Sequence, residues 1–234
     1  MTDDAAAGLT PRGRATYARI VGAAADLVYK RGLRNTVESD VRKAASVSGS
    51  QMTHYLKDRH SMVRAIIAWR RNEMVTFHTS GELSTLDSFE ALQKWADLNV
   101  QKQIDLNCVG GCAFGSLVGE LIPPEDDIRS DISAVYEEWI ALFRTALARM
   151  RKRGELRADA DPLHLARALV AAHQGGSLLS QTTVSINPLR DALNAAVDYV
   201  RSFATQPSTA AARRTRRADR ARRLASEDRL QPCQ

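Results

Sequence analysis

The sequence is poor in the features that mark several protein classes. It has three cysteines in 234 residues, Cys108, Cys112 and Cys233. That is too few for a disulfide framework and fits a reducing compartment. Glycine (13) and proline (7) are sparse, and Phe, Trp and Tyr together make 6%. Nowhere do apolar and polar residues alternate in a sustained period of two, so a sheet is not expected. No apolar run approaches the roughly 18–20 residues of a membrane span. The start, MTDDAAAGLT, has neither the basic nor the apolar region of a secretory signal. These absences point to a cytoplasmic protein with no membrane partner. No Gly-rich phosphate loop, Ser-His-Asp set or paired-carboxylate arrangement is evident. Cys108 and Cys112 stand four apart without a nearby His partner, which argues against structural zinc. No enzyme activity, cofactor or metal is expected, and a thiol switch between these two cysteines stays open.

What is plentiful is Ala, Leu and Arg, the composition of an all-α protein. Charge is unevenly placed. Residues 1–70 hold 12 Lys/Arg and 6 Asp/Glu, a net +6; residues 71–205 hold 13 and 18, a net −5; residues 206–234 hold 8 and 3, a net +5. A basic head suits a polyanion, because Lys and Arg displace counterions condensed on phosphates. The tail, with seven Arg between 213 and 223, reads as disordered. It either adds non-specific phosphate affinity or merely aids solubility.

Start and stop signals divide the chain into about nine helices. Thr10-Pro11 opens the first, about 11–31, which ends in Lys30, Arg31 and Gly32. Thr36 is expected to cap a second helix running to about Ala45, with Val37, Val41 and Ala44 facing inward. Ser46-Val47-Ser48 forms a turn, followed by a short helix at 48–55 with Met52 inward. Asp58 caps a helix at 59–79, and Asp87-x-x-Glu90 is expected to open one at 88–107. A segment with four Gly between 110 and 119 follows, then long helices at 125–153, 162–181 and 188–204. The last two are announced by Asp161-Pro162 and Asn187-Pro188. Leu165, Leu169, Ala172, Gly176 and Leu179 give the first of these two a small-residue face.

Helix, turn and short helix over residues 36–55 have the size of a helix-turn-helix unit, whose second helix enters a major groove about 12 Å wide. Its expected outward positions, Ser48, Gly49, Ser50, Gln51, Thr53, His54 and Lys57, include no carboxylate. Gln can pair bidentately with adenine; a plain solvated helix face has the same look.

On Gly32, Thr36, Ala44-Ala45-Ser46-Val47-Ser48, Thr53-His54-Tyr55-Leu56 and Arg59, residues 20–67 resemble the DNA-binding domain of the tetracycline-repressor (TetR) family of bacterial transcription regulators. The stretch Gly-Cys-Ala-Phe-Gly-Ser-Leu beginning at Gly111 is similar to one in a subgroup of that family. Ser46 and Ser50 stand where the pattern has Gly, Thr53 where it has its first aromatic, and Leu56 where it has Phe. The resemblance implies a helix-turn-helix domain at 11–60, a larger ligand-binding and dimerisation domain at 61–205, and a tail at 206–234. It implies that Thr36, Arg59, Thr53, His54, Tyr55 and Lys57 hold phosphates while Ser50 and Gln51 face base edges, with Ser48 also at the DNA surface. Arg12, Arg14, Arg34 and Lys43 have only charge and position in their favour. It further implies a repressor that, as a homodimer, leaves a palindromic DNA operator when a small-molecule effector binds. Candidate effector contacts are Trp95, Asn99, Gln103, Cys112, Phe114, Leu117, Tyr136, Trp139, Phe143, His173 and Gln174, each of which also suits a plain core. Two other functions stay open: non-specific nucleic-acid binding through the tail, and ligand sequestration by a protein whose DNA head has decayed.

Overall fold

Thr10 opens the first helix, α1 (Pro11–Arg31), by accepting the Gly13 N–H, with Pro11 in the first turn. The computed structural model describes residues 8–121 and 125–205; the Arg-rich tail and Pro123-Pro124 lie outside them. α1 ends at Gly32, whose φ of +83° suits a residue without a Cβ. The side chains of Asn35 and Thr36 donate to the carbonyls of Arg31 and Gly32, satisfying acceptors that a helix end leaves over. Then come α2 (Glu38–Ala45), α3 (Gly49–Tyr55), α4 (Arg59–Thr79), a 3-10 turn at Gly81–Leu83, α5 (Phe89–Asp105), α6 (Ala113–Glu120), α7 (Asp126–Lys152), α8 (Pro162–Thr183) and α9 (Asn187–Arg201). Among the described residues there are nine α-helices and no strand, only one isolated bridge between Leu156 and Ala204.

Where local chemistry is self-contained, the expected boundaries hold. α1 and α4 match to the residue. Asp58 and Ser61 exchange side-chain and backbone bonds at the start of α4, and Asp161 accepts the Leu163 N–H at the start of α8. Four expectations are corrected, one of them by a partner far away in the chain. Thr36 does not cap α2: its hydroxyl turns back to Gly32, it is 1% exposed, and Val37 takes the cap position without a side-chain bond. The inward face of α2 is Val41 and Ala45, while Val37 and Ala44 point outward. Ser88, not Asp87, caps α5, because Asp87 is taken by Arg153. Asn187 lies inside α9 and accepts from the Arg190 side chain instead of capping.

One continuous apolar cluster runs from Tyr17 in α1 to Val200 in α9. α8 and α9 pack against each other through Gly176, where an added Cβ would lie 2.9 Å from the Leu189 Cα. The small-residue face of α8 is therefore used within the chain. Leu179, expected on it, is exposed, as is Leu178.

α4 connects the N-terminal helices to the rest by packing on both α1 and α7. Arg64 holds the buried Asp131 of α7 at 2.6 and 3.2 Å, and Arg71 holds Glu138 at 2.5 and 2.7 Å. Arg70, also buried, donates to the Ala25 carbonyl of α1 at 2.6 Å. Two-pronged guanidinium–carboxylate pairing fixes orientation as well as distance, so α7 carries α4 in a defined position.

Candidate functional site

The α2–α3 corner is built around Ser46, which sits in the left-handed region at φ 52°, ψ 52° and ends α2. A side chain there costs roughly 1–2 kcal/mol. Arg19 of α1 donates to the Ala45 carbonyl at 2.8 Å, tying the corner to α1. Ser48 starts α3 with a reciprocal cap: its hydroxyl accepts the Gln51 N–H, and its own N–H donates to the Gln51 carboxamide oxygen at 3.0 Å. Met52 is buried, anchoring the short helix.

Ser48, Ser50, Gln51, Thr53, His54 and Lys57 are exposed on one end of the molecule, and Tyr55 is half-buried with its ring 6.2 Å from that of Tyr17. Several of their polar groups are already engaged locally. Ser50 pairs with Ser48, and Thr53 donates to the Gly49 carbonyl. The Gln51 oxygen is held in the cap, which leaves its NH2 to donate to an outside partner. Thr36 does not belong to this surface, for the reason given above. Arg59 belongs to it only in part, because its guanidinium donates to the Leu33 carbonyl at 2.8 Å.

The second region is a cavity of about 410 Å³. Of the candidate effector contacts, Asn99, Gln103, Cys112, Phe114, Trp139 and His173 line it. Trp95, Leu117, Tyr136, Phe143 and Gln174 are not among its lining residues. Trp95 and Phe143 are fully buried against each other, with ring centroids 4.8 Å apart. Leu117 lies in the core, and Tyr136 is stacked beside Trp139. Gln174 instead donates to the Cys112 sulfur at 3.4 Å.

Further walls come from two helices that supplied none of the candidate effector contacts. α1 contributes Asp26, Tyr29 and Lys30; α4 contributes Arg70, Met74, Phe77 and His78. One signal pointed to α4. Met62, Ile66, Arg70, Met74 and His78 recur every four residues, and all are buried, so the stripe carries two polar residues on an inward face. For α1 there was no such signal.

Burial sets the electrostatics of the interior. His78 accepts the indole N–H groups of Trp95 and Trp139, both at 3.0 Å, through Nε2, while its Nδ1 lies 2.7 Å from the Met74 carbonyl. Indoles only donate and carbonyls only accept, so His78 is neutral with its hydrogen on Nδ1. Burial pushes its pKa down to about 4, and that of His173 likewise. His173 meets the Asn99 oxygen through Nε2 at 3.0 Å. Burial also pushes the Tyr136 hydroxyl up to about 12 and raises that of Tyr29. Of the charged lining residues, Asp26, Lys30, Glu73 and Lys102 are exposed and form a rim, while Arg70 is buried and pairs with Glu73 at 2.6 Å. A largely aromatic interior with a few placed polar groups and one paired guanidinium suits a small organic molecule.

Among the described residues one group, His60, Glu125 and Asp127, has potential metal-binding atoms within 4.8 Å of one another. All three are exposed or half-buried, and Arg64 stands 3.7 Å from Asp127, so ion pairing accounts for the cluster.

Residues 90–196 match the family model described as "Tetracyclin repressor-like, C-terminal domain". The chain is 30% identical over 79 residues to the HTH-type transcriptional repressor DhaR of Mycobacterium sp. (strain GP1), a match spanning 34% of this chain and 40% of that protein. It is 25% identical over 185 residues to an HTH-type transcriptional regulator of Lactococcus lactis subsp. lactis, covering 75% of this chain and 88% of the other. The fold is shared with a TetR-family transcriptional regulator from Cytophaga hutchinsonii at a TM-score of 0.76 and 16% identity, covering 85% of this chain and 100% of that one.

Proposed function

We infer the function from one premise: this chain belongs to the tetracycline-repressor family of DNA-binding transcription regulators. We propose that it is a cytoplasmic repressor that binds a palindromic operator as a homodimer and leaves it when a small organic effector fills the cavity. Residues 11–60 form the DNA head, 61–205 the effector and dimerisation body, and 206–234 a basic extension.

The observation that carries this reading is the double use of α1. Its residues Tyr17 and Arg19 brace the α2–α3 corner, and its residues Asp26, Tyr29 and Lys30 line the cavity. An occupant therefore touches the same helix that positions the DNA surface. A ligand shifts such an equilibrium by as much as it prefers one conformation. Cavity occupancy then favours the conformation in which the two heads no longer match successive major grooves.

On the DNA, Ser50 and the Gln51 amide face base edges, and Ser48, Thr53, His54, Tyr55 and Lys57 hold the backbone, with Arg59 in a supporting place. The exposed Leu178, Leu179 and Val184 supply an apolar face for a second copy, since exposed apolar patches mark association surfaces. Among the described residues no helix is long and apolar enough to cross a membrane.

Selecting bound sequences from a random DNA pool with the full-length protein tests the reading directly. The expected product is a short inverted repeat, bound preferentially in gel-shift titrations at every salt concentration. Recovery of no preferred sequence overturns it in favour of charge-driven, non-specific binding.

A further inference from the structure

Glu120, the last residue of α6, grips the backbone of the loop that leads into the DNA-facing helices. Its Oε2 accepts the Leu33 N–H at 2.7 Å and the Arg34 N–H at 3.4 Å. The end of α1 is an unfavourable place for a carboxylate, because a helix C-terminus carries partial negative charge. Successive backbone N–H groups in a concave turn offset that. The approach requires Gly32: a Cβ there would lie 2.9 Å from Oε2. The Leu33 carbonyl is held in turn by Arg59 of α4 at 2.8 Å. Both peptide groups of a buried residue in a short loop are thus tied to other helices, and that loop sets where α2 begins.

The other end of α6 touches the cavity. Gly111, Cys112 and Ala113 line it, and the Cys112 sulfur accepts the Gly115 N–H as the helix cap. The Tyr29 hydroxyl of α1 donates to the Val109 carbonyl at 2.9 Å, with the Gly111 carbonyl at 3.3 Å. The segment leading into α6 is strained. Asn107, Cys108, Gly110 and Gly111 all have positive φ, two of them without being glycine, and such strain clusters where a structure has a second arrangement available. An eight-residue helix is a rod of about 12 Å, so movement at the cavity end is movement at Glu120.

We propose that Glu120 is a positioning residue through which cavity occupancy controls the DNA head. An occupant pressing on residues 111–113 shifts α6, withdraws the carboxylate from Leu33 and Arg34, and releases the α1–α2 loop. The inference rests on the regulator reading above for its consequence at DNA, and on the contacts alone for the coupling itself.

The test uses full-length wild type, E120A, E120Q, A113W, and A113W combined with E120A or with E120Q. A113W places an indole in the cavity and stands in for an occupant. Amide hydrogen exchange at Leu33 and Arg34 is read without DNA, and affinity is read on the fragment recovered from the random pool. E120A and A113W are each expected to speed exchange at these two amides and to weaken operator binding by about tenfold. E120Q, which keeps an acceptor oxygen, stays closer to wild type. In the E120A background, A113W is expected to add less than about threefold. Equal effects of A113W with and without Glu120, or unchanged Leu33 exchange in E120A, overturn the proposal. If the pool yields no preferred sequence, the regulator reading fails while the exchange measurements still decide the coupling. Should E120A not fold, judged by circular dichroism, the E120Q pair carries the comparison: an A113W effect reduced in E120Q supports the coupling, and an undiminished one overturns it.

Discussion

The imidazole of His78 on α4 accepts the indole N–H of Trp139 on α7 at 3.0 Å. Trp95 of α5 donates to the same nitrogen at the same distance. One acceptor atom therefore joins three helices at the wall of the cavity, and it does so only while it carries no proton.

This arrangement predicts acid sensitivity with a definite sign. The folded pKa of His78, about 4, lies below the ordinary 6.5, so the unfolded chain binds more protons in between. Stability is full above about pH 6.5, falls as pH drops from there toward 4, and levels off below. The loss for His78 is about 3 kcal/mol, and His173 adds to it in the same window. Thermal melts from pH 7.5 to 4.5 should show the decline, and His78→Gln should flatten it while lowering stability at pH 7.5. An unchanged slope in that variant refutes the assignment.

Adjacent glycines in α8 should respond with opposite signs. An added Cβ at Gly175 meets nothing within 4 Å, whereas at Gly176 it meets the Leu189 backbone. Gly175→Ala gains helix propensity of up to about 1 kcal/mol. Gly176→Ala gains the same propensity but wedges α8 from α9, for a net loss of about 1–3 kcal/mol. Denaturant titration of both variants reads the difference.

Ser46 holds a left-handed conformation that glycine adopts without strain. Ser46→Gly should raise stability by about 1 kcal/mol, with part of the relief lost to the freer unfolded chain. Operator affinity should stay within about threefold of wild type, since the corner keeps its geometry. A lowered melting temperature contradicts this account of the turn.

Two variants of the DNA surface should separate by kind. Lys57→Ala should weaken binding evenly across sequences and reduce the slope of log K against log salt by about one. Gln51→Ala loses a side-chain half of the α3 cap, about 1 kcal/mol of helix stability, and alters which bases are preferred at one operator position. Repeating the pool selection with each variant distinguishes them; an unaltered preference with Gln51→Ala removes that residue from base recognition.

Much of the architecture was legible in the chain itself. Thr10-Pro11, Asp58 with Ser61, and Asp161-Pro162 fix helix starts because donor and acceptor lie within three residues of one another. The inward faces of α5, α7 and α9 follow the helical period, because apolar residues three and four apart fall on one side of a helix and are buried together when that side packs. The α2–α3 corner could be placed for the same reason, its cap bonds spanning three residues.

The tertiary structure alone decided the rest. Asp87 had the chemistry of a cap, but it was drawn away by Arg153, 66 residues distant. His78 acquired its neutral form from indoles 17 and 61 residues away, and Leu33 its anchor from a carboxylate 87 residues away. A side chain's local spacing states what it can bond, not which of several partners folding brings within 3 Å. Burial then decides among them, because an unpaired polar group is costly only once water is gone.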